Sequence, residues 1–552
     1  MLTRASRTSL LGLGLSVALT LGALASSQNA PAPSGSRVDL PAAVLRVTTR
    51  LVLVDVVVTD KDGRPVTGLT RDDFVLLEEG QPQTISAFSH ESPGVRADAQ
   101  PEPPPLPAHV YTNRPEYRTP PGPLVILLLD SLNTPWHDLA YMRQQMLKYI
   151  RTQVKPDQRV AVMVLGNNLM VLQDFTTDSR LLLAALERFS GERPAGLNNE
   201  PTQIAPQALA EAPAGAVERI TANLERFHTE QAGATTDERV RVTLASLRAI
   251  GRAVAGYPGR KNLIWVSGAF PFTLVPERSG NFEAFRSYAS EVRRTAGELT
   301  DAQVAVYPVD ARGLVGPWFS GIGGSHATMN QLAQDTGGKA YYNRNDIEVA
   351  VSLAAADGTS YYFLAYHPEN NNWDGKFRRI EVRVNRKELR IRHRRGYYAT
   401  EGAINEATQK REKAQLEEMK AILRDPLPAT AITFLARVRP PTPGEKELLA
   451  EFLLDAETLR YVPTADGHQS MKADFLVAAV SPEGRVLASN GHTIEAEFDP
   501  PRFAAIQETG LPFKCPLALV PGRYERLRLV VRDHLSGLAG TVDVPLALTV
   551  PD

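Results

Sequence analysis

The stretch "PLVILLLDSLNTPWHDL", residues 123–139, decides the fold. Six apolar residues run from Leu124 to Leu129 and stop on Asp130, followed by the polar Ser131, Asn133 and Thr134. A buried strand that delivers a carboxylate and hydroxyls at its carboxyl end is the usual place for an α/β domain to keep a ligand site. A plainer reading of the same residues has Asp130 hydrogen-bonding local backbone and Thr134 starting the next helix.

Outward from this strand, helix and strand patterns alternate. Leu139, Met142, Met146, Leu147 and Ile150 mark one side of a helix over 136–154, and "RVAVMVLG" and "NLMVLQDF" read as strands. A helix follows from Asp178 to Phe189, and residues 190–232 shift to Ala, Pro, Gly and Gln, as an insertion with weak helix does. Val240, Leu244, Leu247, Ile250 and Val254 resume helical spacing, "KNLIWVSG" is a strand, and 282–300 is helical. "QVAVYPVD", a helix over 326–336 stopped by Gly337-Gly338, a short strand "KAYYN" and a last helix over 346–356 complete the region. Such alternation predicts an α/β domain over 124–357, a mostly parallel sheet with helices on both faces.

The flanks are β-rich. Residues 45–90 alternate Val52, Val54, Val56 and Val58 with their neighbours and carry turn signals at Asp62-Gly63 and Glu79-Gly80. Residues 359–398 form strand-like runs around Asp374-Gly375, and each flank is too small to bury a core alone. The two are expected to pair, with the α/β domain inserted between them. Residues 91–123, with "PEPPPLPA", read as a Pro-rich linker, 402–424 as a linker helix, and 428–552 as a β-sandwich-like domain.

The chain of 552 residues carries 61 Lys and Arg against 62 Asp and Glu, so no global field attracts nucleic acid. Arg4 and Arg7, an apolar run over 10–21 and Ala23-Leu24-Ala25 read as a signal peptide over residues 1–25, with an uncleaved anchor as the alternative, which implies export to the periplasm, the medium or the cell surface. The membrane is then not spanned after signal removal. Cys515 is the one cysteine and reads as a small half-buried residue. The basic hairpin 376–395 reads chiefly as a solvated strand face, with an anionic surface polymer or lipid head group as the alternative.

Seven phrases in order carry a resemblance: "VVVTDKDGRPVTGLTRDDFVLLEEG", "LLLDSLNTP", "LQDFTTD", "GRKNLIWVSGAFP", "VYPVDARGL", "LAQDTGGKAYYNRNDI" and "RRGYYA". Residues 124–357 resemble a von Willebrand factor type A domain, and 45–398 resemble the VWFA-related family of Acidobacteria. The resemblance implies a Rossmann-like sheet with a metal-ion-dependent adhesion site at its carboxyl ends: Asp-x-Ser-x-Ser, a Thr from a second loop and an Asp from a third. Mg²⁺ takes octahedral oxygen ligands and keeps several waters, so a partner's carboxylate completes its shell.

Carried over by position, Asp130 matches the first Asp, Leu132 replaces the first Ser, and Thr134 replaces the second. The loop Thr falls on Thr176 or Thr177, and the last Asp falls on Ser267 or Gly268. The site is degenerate: Asp130, Thr134 and Thr177 are the candidate ligands for Mg²⁺ or Mn²⁺. Asp130, Ser131, Asn133, Thr134, Thr176, Thr177, Ser267 and Asp310 are the candidate ligand-binding rim. No GxSxG, P-loop or HExxH pattern accompanies them, so no enzyme class is indicated and no catalytic residue is assigned. The resulting expectation is an exported, non-enzymatic adhesion protein that binds a protein or cell-surface ligand. The alternative is a scaffold component of an envelope complex with the β modules as contact surfaces.

Overall fold

The computed structural model describes residues 51–92, 103–118, 122–189, 214–270, 288–314, 322–400, 408–439 and 447–550. The signal segment and the first part of the 190–232 insertion lie outside them.

The central domain is built from β1 (Leu124–Asp130), α1 (Trp136–Thr152), β2 (Arg159–Leu165), β3 (Leu169–Thr176), α2 (Ser179–Arg188), α3 (Ala214–Val254), β4 (Lys261–Ser267), α4 (Ala289–Asp301), β5 (Val304–Asp310), α5 (Ile322–Thr336) and α6 (Ile347–Asp357). The sheet order is β5-β4-β1-β2-β3. The pairings β5–β4, β4–β1 and β1–β2 are parallel, and β2–β3 is antiparallel.

Every residue of β1, β2, β4 and β5 is buried, because alternate side chains enter two separate cores. Ile126 and Leu128 pack with Leu244, Leu247, Leu299 and Leu332 from α3, α4 and α5. Val125, Leu127 and Leu129 pack with Met142, Met146, Leu186 and Val351 from α1, α2 and α6. Helices therefore cover both faces of the sheet. Asp178 caps α2, its carboxylate accepting from the Arg180 N–H at 2.9 Å.

Two local expectations change. The second half of the expected insertion is continuous with α3, a helix of 41 residues. Helix α4 is described from Ala289, and the start of the helix expected over 282–300 lies outside the described residues. "KAYYN" makes an isolated bridge from Tyr341 to Val309 instead of a strand, and Asn343 turns the chain away with φ 54°.

Residues 51–91 and 361–400 interleave in two sheets. One runs Arg390–Arg392, Val52–Thr59, Tyr361–Tyr366, Ile85–Glu91, and the other Gly396–Thr400, Asp374–Val384, Phe74–Glu78, Gln81–Gln83. Val54, Val56, Leu76, Tyr362, Leu364 and Ile380 share one core. Beside it a buried Glu78 accepts from Arg378 at 3.2 Å, Tyr366 at 2.6 Å and Tyr397 at 2.9 Å. Four of the basic hairpin's arginines are paired, Arg378 with Glu78, Arg383 with Glu381, Arg386 with Asp73 and Arg392 with Asp357, while Arg379, Lys387 and Arg390 are exposed and form no ion pair among the described residues.

The C-terminal domain packs two antiparallel sheets around Phe434, Phe452, Phe475, Leu527 and Leu529. The segment expected to be only a linker contributes to it. Val110–Thr112 pairs with Phe434–Arg439 as an edge strand, and the buried Asn113 donates to the Ala429 and Ile432 carbonyls at 2.8 Å each. Cys515 is fully buried in this core, which pushes its thiol up to about 11.

Candidate functional site

The carboxyl ends of β1, β4 and β5 lie side by side, with Asp310 in register with Ser267 and Leu129 with Val266. This edge gathers Asp130, Ser131, Asn133, Thr134, Ser267 and Asp310, each at most 7% exposed. Register excludes Thr176 and Thr177. β3 runs antiparallel, so Thr176 pairs with Val160 near the amino end of β2, whereas Asp130 pairs with Leu165 at the other end. At about 3.3 Å per residue the two threonines sit a strand length from Asp130. They belong to neither the rim nor a ligand set with it.

The threonine that does reach this region is Thr243 of α3, fully buried, whose hydroxyl accepts from Asn133 Nδ2 at 3.1 Å. Sequence reading passed over it because it sits within the apolar helical run around Val240 and Leu244. The one available signal was a polar residue on an otherwise core-facing stripe.

Asp130 is fully buried and its carboxylate is ringed by donors. Oδ1 accepts from the Asn133 N–H at 2.9 Å and from Asn133 Nδ2 at 3.2 Å. Oδ2 accepts from Asn133 Nδ2 at 3.0 Å, Trp265 Nε1 at 3.0 Å and Ser267 Oγ at 2.8 Å. Burial pushes this carboxyl up to about 6, against the pull of the donors from Asn133, Ser267 and Trp265. Ser267 Oγ is also 2.6 Å from the Ala269 carbonyl, and its single proton serves one acceptor at a time. When Asp130 is ionised, Ser267 donates to it; when Asp130 is neutral, its own proton goes to Ser267, which then donates to Ala269. Both protonation states are therefore accommodated.

Neighbouring side chains are likewise turned inward. Ser131 Oγ donates to the Leu165 carbonyl at 3.0 Å, and the Thr134 hydroxyl accepts from the Gly268 N–H at 2.8 Å. Gly268 passes so close that a Cβ there would lie 2.9 Å from Pro135 Cδ. Phe270 then packs edge-on to Trp265, ring centroids 4.7 Å apart. At the next strand end Asp310 is held by Arg312, Nε to Oδ1 at 2.9 Å and Nη2 to Oδ2 at 2.7 Å, with His326 Nε2 at 3.2 Å. His326 stacks on Tyr342 at 4.1 Å.

These residues do not fit a divalent cation. A metal at Asp130 needs carboxylate lone pairs facing an open space, and here N–H and O–H groups meet both oxygens. Leu132 is buried at a ligand position, and Ser267 is a hydrogen-bond partner of Asp130 where the site requires a second carboxylate. Among the described residues no group of three or more His, Cys, Asp or Glu is placed to hold a metal ion.

No protein-family model and no curated protein matches the chain at the sequence level. Solved structures similar to it include an aerotolerance-related membrane protein from Bacteroides fragilis, at 12% identity and TM-score 0.24 over 43% of this chain and 98% of that one. BatB from Bacteroides thetaiotaomicron is similar at 13% identity and TM-score 0.23, over 42% and 97% of the two chains. Proximal thread matrix protein 1 from the mussel byssus is similar at 11% identity and TM-score 0.24, over 43% and 48%. A further structure of that mussel protein, at 10% identity and TM-score 0.21 over 45% and 47%, has a zinc-occupied MIDAS motif. No described helix is long and apolar enough to cross a membrane.

Proposed function

We propose that this chain is an exported, non-enzymatic binding protein that recognises a protein partner at the carboxyl rim of its α/β domain without a metal ion. The observation that carries the reading is the Asp130 network, where the position expected to hold the ion is filled by the protein's own donors. What the rim offers a partner is apolar. Trp136, at the start of α1, is 55% exposed, and Leu314, after β5, is 67% exposed. Trp136 lies two residues before Asp138, whose carboxyl feels the charges of Asp310 and Arg312, so both apolar side chains flank the same strand ends. An exposed tryptophan beside a rigid, hydrogen-bonded floor has the character of an interface anchor.

The test is recovery of partners from envelope extract by the full chain, with and without EDTA, using wild type, Trp136→Ala and Leu314→Ala. The same partner is expected in EDTA, with at least tenfold less recovered by either variant. Loss of the partner in EDTA overturns the metal-free reading. Unchanged recovery by both variants, with crosslinks on the β modules, moves the contact to those modules and supports the scaffold reading instead.

A further inference from the structure

A second concave surface lies where the α/β domain meets the N-terminal β domain. It is a groove of about 440 Å³ lined by Arg293, Gln331, Asp335, Phe377, Arg395 and Tyr398 among others, and no residue of the rim contributes to it. Its size is that of a small-molecule site, and it combines apolar rings with a few polar groups. Close approach of the chain shapes one wall. A Cβ on Gly396 would lie 2.0 Å from the Arg378 carbonyl, so only glycine lets this edge strand sit where it does.

Four features of the lining are unspent. Arg293 is exposed and has no hydrogen-bond or ion-pair partner among the described residues. Phe377 is 41% exposed, although its ring packs edge-on against Tyr398 at 5.2 Å, and an apolar face is left open. Tyr398 makes no hydrogen bond through its hydroxyl among the described residues. Asp335 is held through one oxygen, Oδ1, by Gln331 Nε2 at 2.7 Å, which leaves Oδ2 able to accept. Arg395 donates to Gln331 Oε1 at 3.3 Å and stands 4.0 Å from Asp335.

Each feature restricts the ligand. The guanidinium of Arg293, without a close pair among the described residues, calls for an anion, and its planar fork suits a carboxylate. The carboxylate of Asp335 repels a ligand that is only anionic and calls for O–H donors on the same molecule. The aromatic pair calls for a flat apolar face. A carboxylate, several hydroxyls and a C–H face occur together in one compact unit, a hexuronic acid. We propose that this groove binds an acidic saccharide, with the uronate carboxylate on Arg293, a sugar C–H face on Phe377, and hydroxyls on Asp335 Oδ2 and the Tyr398 hydroxyl. The proposal is independent of the protein-recognition reading of the rim.

The test is calorimetry or saturation-transfer NMR on the full chain with trigalacturonic acid, maltotriose and a short glutamate-rich peptide ending in phenylalanine. Variants are Arg293→Ala and Phe377→Ala, with Arg294→Ala as the control, since Arg294 pairs with Glu298 at 3.2 Å on the same helix and does not line the groove. All three substituted side chains are exposed, so the fold is retained. Trigalacturonic acid is expected to bind wild type and Arg294→Ala equally, and to lose at least tenfold in affinity with either groove variant. Absence of binding to wild type, equal binding of maltotriose, or unchanged affinity in both groove variants overturns the proposal. Preference for the peptide assigns the groove to a protein segment and also overturns it.

Discussion

At the residue scale, Asp130 shows how one position keeps its identity while its surroundings change its use. The carboxylate stands at the end of the central strand, but Trp265, Ser267 and Asn133 satisfy it internally. Its pKa is raised to about 6 from an ordinary 3.8, so the folded state holds a proton that the unfolded chain has already released. The stability this group contributes is therefore full below pH 4 and is lost as pH rises through about 6. At roughly 1.4 kcal/mol per pKa unit the loss is about 3 kcal/mol. Asp130→Asn mimics the neutral state and leaves one donor of the ring unpaired, at a cost of about 1–3 kcal/mol. Urea unfolding of both proteins between pH 4 and 7 is expected to show the wild type losing its advantage over that range. A difference that stays flat with pH rules out the titration.

At the element scale, the segment after the proline tract matters more than its composition suggests. Val110–Thr112 is an edge strand of the C-terminal sandwich, and Asn113 plugs the turn at 429–434 by donating to two carbonyls and accepting from the Phe434 N–H at 3.1 Å. Arg114 forms an ion pair with Asp455 beside it. Asn113→Ala strands these buried groups, at a cost of about 3 kcal/mol given roughly 1–3 kcal/mol for each unsatisfied group. Denaturant unfolding measures the loss, and hydrogen exchange at the Phe434 amide is expected to accelerate with it. A change under about 0.5 kcal/mol means that water replaces the asparagine. A similar device secures the helix Thr408–Arg424. The fully buried Arg528 donates to the carbonyls of Ile422, Leu423 and Asp425 while pairing with Asp543, which satisfies the helix's carboxyl end.

At the scale of the whole molecule, the described modules are joined by interlocking contacts. Arg252 of α3 forms a two-point ion pair with Asp425, at 2.8 and 3.0 Å, and its carbonyl accepts from the Thr430 N–H at 3.0 Å. Gly256 lets the backbones touch, since a Cβ there would lie 2.0 Å from the Thr430 carbonyl oxygen. Between the α/β domain and the N-terminal β domain, Arg392 pairs with Asp357, and Gln303 reaches Asp55 at 3.4 Å. The wild type is expected to unfold in one calorimetric transition. Gly256→Ala forces the α/β and C-terminal modules apart and is expected to split that transition in two. A single transition in the variant, at unchanged temperature, means that the contact does not couple them.

Much of the fold was legible in the chain, because apolar periodicity reports burial directly. The run Leu124–Leu129 and the helical spacing of Val240 to Val254 both name core positions, and Asp130 marks a strand end by the change from apolar to polar. Ala-rich and Pro-rich composition says little about what a segment packs against, so neither the run of α3 back to Ala214 nor the edge strand Val110–Thr112 is legible locally. Thr176 and Thr177 were misplaced for a different reason. Their position depends on β3 running antiparallel, and strand direction is a property of pairing that no local pattern carries.

By itself, then, the sequence determined which residues are buried and which strand ends carry polar groups. The tertiary structure alone decided that Asp130 faces donors instead of an open coordination site, that Thr243 rather than Thr176 or Thr177 joins its network, and that Arg293, Phe377 and Asp335 share a groove. The physical reason is that burial follows from one residue's own transfer free energy, whereas a site depends on the mutual orientation of residues far apart in the chain, fixed only by register and packing.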